Sequence, residues 1–176
     1  MTAADFWIAL SSLPFRLACL ALGAAAVCLI VRSARPALAA GAAVLLTYGV
    51  TTGLKELVDR PRPTGTHPLV PLPDSPSFPS GHASTAFAAA AALAVFAPRW
   101  LGPCFLAIAA LVGVSRLELG VHYVSDVVGG ALLGVVIGLV AGLLLRNRPR
   151  VAAVDLDRGS GDVGGGRGEK EGRHPA

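Results

Sequence analysis

The chain has 176 residues, of which 53% are hydrophobic and 15% charged, and its net charge is +4. Soluble domains usually carry about 25% charged residues, so the composition argues against a soluble protein. It also excludes disorder over most of the length, because disordered chains are poor in apolar residues. The three cysteines lie inside apolar runs, and we interpret them as buried thiols rather than as a disulfide framework.

Hydrophobic runs follow one another along the chain and predict an all-α fold. A helix that crosses a membrane needs about 20 mostly apolar residues. Residues 5–12 are too short to cross and are expected to lie along the interface. The remaining runs predict a polytopic membrane helix bundle of about five spans, at residues 13–31, 36–58, 82–97, 101–114 and 123–145.

Charges between these spans predict the orientation. The connections after the first, third and fifth spans, counted to residue 150, carry no acidic residue and six arginines: Arg32, Arg35, Arg99, Arg146, Arg148 and Arg150. Positive charge concentrates on the cytoplasmic side of membrane proteins. We therefore expect a multi-pass protein of the cell membrane with its C-terminus in the cytoplasm and the opposite, mixed-charge face outside.

Two breaks in composition divide the chain. Residues 151–176 are rich in glycine and mixed charges, which predicts a disordered cytoplasmic tail after a membrane-embedded domain at 1–150. Residues 59–79 hold seven of the 13 prolines, so this loop is neither regular helix nor strand. Its length favours a wall or a lid over a simple linker.

Three polar clusters lie at span ends on the predicted outer face, at residues 55–63, 79–82 and 115–126. In the second, Ser80 is placed to cap a helix whose N-terminus can bind an anion. In the third, His122 and Asp126 are spaced i, i+4 at the start of a span, which predicts a shared helix face and an imidazole–carboxylate pair. Singly, each cluster has an ordinary interpretation: snorkelling cations, a structural histidine or a satisfied polar pair.

Together the clusters indicate phosphoryl transfer. That chemistry needs donors around the non-bridging oxygens, an in-line nucleophile and an acid for the leaving oxygen. A metal centre is disfavoured, because cations outnumber carboxylates and clustered ligand spacing is lacking. The residues alone do not decide which histidine is the nucleophile and which the acid.

The clusters resemble the motifs of the type 2 phosphatidic acid phosphatase (PAP2) superfamily, K-x6-R-P, P-S-G-H and S-R-x5-H-x3-D, in order and at every key position. The resemblance implies a metal-free and cofactor-free phosphatase in which His122 attacks phosphorus, Asp126 orients it and His82 protonates the leaving oxygen. It also implies a set of phosphate-binding residues: Lys55, Arg62, Ser80, Gly81 and Arg116. Membrane members of the family commonly have six spans, one more than predicted here.

The expected function is hydrolysis of an amphiphilic lipid phosphate or diphosphate at the outer face of the bilayer, through a phosphohistidine. The candidate substrates are polyprenyl phosphates or diphosphates, which we favour slightly, phosphatidic acid and phosphatidylglycerol phosphate. A nucleic-acid partner is not expected. The alternatives are an enzyme like the vanadate-dependent haloperoxidases and a catalytically silent membrane scaffold.

A glycine repeat marks the last span, with Gly130, Gly134, Gly138 and Gly142 spaced four residues apart. Such spacing lets a neighbouring helix approach closely. The repeat therefore predicts tight packing, either inside the bundle, which we favour, or in a homodimer.

Overall fold

The computed structural model describes residues 2–64 and 68–148, which form six α-helices and no strand. The predicted all-α class is confirmed. The predicted tail at 151–176 lies outside the described residues. The helices are α1 (Ala3–Ser11), α2 (Leu13–Val31), α3 (Arg35–Val58), α4 (Gly81–Ala94), α5 (Gly102–Glu118) and α6 (Val124–Arg146).

Three helices in the described ranges, α2, α3 and α6, are long and apolar enough to cross a membrane. They have 19, 24 and 23 residues, and a helix rises about 1.5 Å per residue against a hydrocarbon core of about 30 Å. Helices α4 and α5 have 14 and 17 residues and fall below that length. The predicted five spans therefore correspond to three long helices and two shorter ones. Large side chains such as Leu29, Leu45 and Leu132 point outward, as a lipid-facing surface requires.

Local sequence explains where the helices begin and end. The Ser12 side chain accepts a hydrogen bond from the Phe15 N–H at the start of α2, and proline occupies the first turns of α2, α3 and α5. Two predicted boundaries move. Helix α4 ends at Ala94 rather than at residue 97, and α5 continues to Glu118 rather than ending at 114. A cation such as Arg116 is favoured in the last turn of a helix, which hydropathy does not register.

The glycine repeat packs against α4 within the same chain. A Cβ added at Gly130 would lie 2.7 Å from the Ser80 carbonyl oxygen. At Gly134 and Gly138 it would overlap the carbonyl oxygens of Ser84 and Ala88. The backbones of the two helices are thus in direct contact, as small residues permit. The favoured prediction of packing inside the bundle is confirmed.

This contact fixes the register of the helix ends that carry the polar clusters. The Ser80 N–H, at the N-cap of α4, donates to the Asp126 carbonyl oxygen in the first turn of α6 over 2.9 Å. The C-terminal ends of α3 and α5 lie at the same end of the bundle, since consecutive helices run in opposite directions. All three clusters therefore meet at one end.

Candidate active site

The imidazole of His122 and the carboxylate of Asp126 form a buried pair at this end of the bundle. His122 Nδ1 lies 3.3 Å from Asp126 Oδ2, and Asp126 is inaccessible to solvent. The predicted contact is present, but the shared helix face is wrong, because α6 begins at Val124 and His122 precedes it. Asp126 instead reaches back from the first turn, where the same Oδ2 also accepts the Tyr123 N–H over 3.0 Å.

Asp126 has a second partner, Arg60, which the sequence analysis did not place in the site. Arg60 Nη1 lies 2.8 Å from Asp126 Oδ1 and also donates to Ser125 Oγ over 2.6 Å. The guanidinium stacks on the Tyr123 ring, 4.2 Å from its centroid. Both carboxylate oxygens of Asp126 are therefore engaged. In the sequence, Arg60 is marked only by the repeated Arg-Pro dipeptide at residues 60–63, and the K-x6-R-P spacing selects Arg62 rather than Arg60.

Arg62 connects the proline-rich loop to the nucleophile candidate. Its Nη1 donates to the Val121 carbonyl oxygen over 2.9 Å and lies 3.4 Å from His122 Nε2. Its Nε donates to the carbonyl oxygens of Pro73 and Ser75, at 3.1 and 2.9 Å. Arg62 thus holds residues 73–75 of the loop beside the site, as expected of a wall.

The partners of His122 define its protonation. Burial, followed by the positive charges of Arg62 and Arg116, lowers the pKa of His122, and Asp126 only partly opposes that shift. The imidazole is therefore neutral at neutral pH. With Nδ1 facing the carboxylate, the proton belongs on Nδ1, and Nε2 keeps the lone pair that a nucleophile needs.

Two buried polar atoms beside this pair lack a hydrogen-bond partner within the described part of the chain. They are Ser80 Oγ and Arg116 Nε. Ser80 occupies the predicted N-cap position of α4, but its side chain makes no cap hydrogen bond. Buried donors are normally satisfied, so these atoms, with the first turn of α4 at Gly81, form a cradle suited to an oxyanion.

Lys55, also predicted to bind phosphate, is partly buried at the end of α3 and donates to the Pro76 carbonyl oxygen. It interacts electrostatically with Arg62 and Asp126. Lys55 therefore belongs to the same cluster of charges. Its ammonium group has three donors, so the bond to the loop leaves capacity for an anion.

His82 lies in the first turn of α4, partly buried, and interacts electrostatically with His122 and Arg116. It borders a cavity of about 420 Å³ between α2, α3 and α4, here called the α2–α4 cavity. The walls of this cavity are mainly apolar, with Arg16 at the same end as His82. Arg16 is a second cation that the sequence analysis left outside the site.

Across residues 2–64 and 68–148, no group of three or more His, Cys, Asp or Glu side chains is arranged to hold a metal ion. The donor set at the site consists of fixed cations, hydroxyl and backbone N–H groups around one carboxylate. Such a set matches a phosphate group by charge and hydrogen bonding.

Comparison with known proteins identifies the family. Residues 36–150 match the model of the PAP2 superfamily, so the chain belongs to this superfamily. A crystal structure of a transmembrane PAP2-type phosphatidylglycerolphosphate phosphatase from Bacillus subtilis resembles the fold. Its TM-score is 0.60 at 28% identity, covering 84% of this chain and 77% of that one. The apolar helices of the chain and this likeness together identify it as a membrane protein.

Two relatives illustrate the range of the family. The chain is 36% identical over 114 residues to decaprenylphosphoryl-5-phosphoribose phosphatase of Mycobacterium tuberculosis strain H37Rv, covering 62% of this chain and 61% of that protein. It is 39% identical over 113 residues to phosphatidylglycerophosphatase B of Bacillus subtilis strain 168, covering 55% and 54%. The chain thus spans between about half and three fifths of these relatives.

Proposed function

We propose that this protein is a membrane-integrated phosphatase that removes the terminal phosphoryl group from a lipid phosphate or diphosphate, without a metal ion. The observation that carries the proposal is the pair of contacts made by the His122 imidazole. Asp126 Oδ2 lies 3.3 Å from its Nδ1, and Arg62 Nη1 lies 3.4 Å from its Nε2. The carboxylate orients the ring through Nδ1, and Nε2 lies beside a cation that we propose binds phosphate.

The first step is attack on phosphorus by Nε2 of His122. A bond forms between nitrogen and phosphorus, and the bond from phosphorus to the leaving oxygen breaks. Asp126 stabilises the positive charge that develops on the ring. The non-bridging oxygens are held by five groups: the side chains of Arg62, Arg116 and Lys55, the Ser80 hydroxyl and the Gly81 N–H. Donors that are already in place before the reaction usually make the largest contribution to catalysis of this kind.

The second role belongs to His82, which donates a proton to the leaving oxygen. It lies beside the α2–α4 cavity, so the leaving group faces the apolar side of the site. Water then attacks the phosphohistidine, the bond between nitrogen and phosphorus breaks, and inorganic phosphate is released. The proton lost by the water returns to His82.

The same arrangement accounts for a lipid substrate. The polar cluster lies at the ends of α3, α4, α5 and α6, while the α2–α4 cavity extends alongside apolar residues such as Leu17 and Val44. A substrate can therefore place its phosphate among the cations and its hydrocarbon chain in the cavity. Among the three candidate lipid classes, we favour polyprenyl phosphates or diphosphates.

We also propose that the site faces the extracytoplasmic side. The support is the all-basic character of the opposite connections, such as Arg32 to Arg35 and Arg146 to Arg150. In this proposal residues 1–150 form the membrane-embedded domain and residues 151–176 a cytoplasmic tail.

The test is release of inorganic phosphate by the purified full-length protein from polyprenyl phosphate, polyprenyl diphosphate, phosphatidic acid and phosphatidylglycerol phosphate, with and without a chelator. We expect chelator-resistant release, abolished in His122→Ala and retained in the matched control His174→Ala. Rapid alkaline quenching with a 32P-labelled substrate should trap a labelled protein that His122→Ala fails to form. Full activity in His122→Ala, or loss of activity with the chelator, would refute the proposal. Sealed right-side-out vesicles should hydrolyse substrate added from outside.

A further inference from the structure

Arg16 is a partly buried cation next to the proposed site that the three sequence motifs do not include. It lies in the first turn of α2, and its Nε is buried without a hydrogen-bond partner among the residues that the structure describes. The Arg16 side chain borders the α2–α4 cavity together with His82.

No carboxylate in the described ranges compensates Arg16. The two ion pairs recorded there both use Asp126, with Arg60 and His122 as the partners. Arg16 instead interacts electrostatically with another cation, Arg116. Two like charges held near each other in an apolar protein destabilise the empty site, so the arrangement is suited to a bound anion.

The position of Arg16 distinguishes it from the other cations. In the proposed mechanism Lys55, Arg62 and Arg116 hold the phosphoryl group that His122 attacks, whereas Arg60 is paired with Asp126. Arg16 instead borders the α2–α4 cavity beside His82, and the lining of this cavity includes none of the other four cations. In the proposed mechanism that side receives the leaving group, so Arg16 faces the part of the substrate that remains after hydrolysis.

We propose that Arg16 binds the inner phosphate of a lipid diphosphate and thereby selects diphosphates over monophosphates. This inference rests on the proposed phosphatase function. In a diphosphate the bridging oxygen that His82 protonates is bonded directly to the inner phosphate. A diphosphate also carries about one more negative charge than a monophosphate, which matches one additional cation. The leaving group of a lipid monophosphate is a neutral alcohol, which offers Arg16 no charge.

The step balances without a further reactant. Nε2 of His122 bonds to the outer phosphorus, and the bond from that phosphorus to the bridging oxygen breaks with its electron pair left on oxygen. This oxygen becomes part of the leaving lipid monophosphate and takes the proton of His82, while Arg16 holds the charge of the leaving phosphate. Hydrolysis of the phosphohistidine then yields inorganic phosphate, and the proton from water restores His82.

The experiment compares farnesyl diphosphate with farnesyl monophosphate, which share one hydrocarbon chain. For Arg16→Gln we expect kcat/KM to fall about 10- to 100-fold on the diphosphate and less than about threefold on the monophosphate. Arg16→Lys should retain part of the preference for the diphosphate, since it keeps the charge but not the planar fork. The control Arg99→Gln removes an exposed charge and should leave both substrates unchanged.

A binding measurement covers the case in which Arg16→Gln does not fold. The methylene diphosphonate analogue of the farnesyl diphosphate should inhibit monophosphate hydrolysis less strongly in Arg16→Lys than in the wild type. Equal losses on both substrates, an unchanged ratio, or unchanged inhibition by the analogue would overturn the assignment of Arg16. Failure of the wild-type protein to hydrolyse either substrate would instead overturn the proposed function.

Discussion

Replacement of Arg60 by glutamine tests whether this residue positions Asp126 or binds phosphate itself. The guanidinium donates to Asp126 Oδ1 over 2.8 Å, and the carboxylate is fully buried. Arg60→Gln therefore leaves Oδ1 without its charged donor, while Oδ2 keeps His122 and the Tyr123 N–H. The carboxylate should remain in place but turn more freely, so His122 is oriented less strictly.

The magnitude follows from the geometry. A hydrogen bond to a charged group contributes about 1.5–3 kcal/mol, which corresponds to about 10- to 150-fold in rate. The Arg60 side chain is 34% exposed, so water replaces part of the lost interaction, and we expect kcat to fall by about 10- to 30-fold. KM should change little, because Arg60 donates to Asp126 Oδ1, whereas His122 meets the other carboxylate oxygen, Oδ2.

A pH profile separates positioning from simple loss of fold. Without Arg60 the negative charge of Asp126 acts fully on His122 and favours the imidazolium. The acid limb of kcat should then move to higher pH than in the wild type. Tyr123→Leu removes the ring stacked on Arg60 but not the Asp126 contact, so a smaller loss is expected. An increased KM or weaker vanadate inhibition with kcat unchanged would refute the positioning role.

Two further predictions follow from burial and packing. Because burial lowers the pKa of His122, its neutral form should persist below the ordinary histidine value of about 6.5. The acid limb of kcat/KM should therefore lie below that pH, after correction for the ionisation of the substrate, which 31P NMR measures. An acid limb at or above about pH 6.5 would contradict the assignment. Gly134→Ala should lower the free energy of unfolding by about 1–3 kcal/mol, because the new methyl group meets the Ser84 carbonyl oxygen. Thermal unfolding in detergent measures this, with Gly49→Ala as the control because open space surrounds Gly49. Equal stabilities of the two variants would contradict the packing argument.

Hydropathy and motif spacing predicted much of the fold. The first predicted span, residues 13–31, coincides with α2 because its apolar run is bounded by Ser12 and Arg32 on either side. The glycine repeat predicted close packing, since glycine is unusual at regular spacing unless another backbone approaches. These are local properties, and the sequence carries them directly.

Other features depend on contacts between distant segments. The partnership of Arg60 with Asp126 joins residues 66 positions apart, and the bond of Lys55 to the Pro76 carbonyl depends on the path of the proline-rich loop. Neither helical periodicity nor charge pattern encodes that path. The start of α6 at Val124 was also missed, because the i, i+4 spacing of His122 and Asp126 fits both a helix face and a carboxylate that reaches back.

The backbone contact between α4 and α6 has a consequence for how substrate preference can change. Ser80, His82 and Asp126 are all carried by this one pair of helices, whose spacing the glycines hold fixed. Arg16 and most of the apolar wall are carried by α2 and α3, outside the pair. Engineering of the cavity-lining residues of α2 and α3, away from Lys55 at the end of α3, can therefore retune which lipid is accepted and leave the reacting groups undisturbed. A bulkier residue in the α4–α6 seam instead alters the chemistry for every lipid at once.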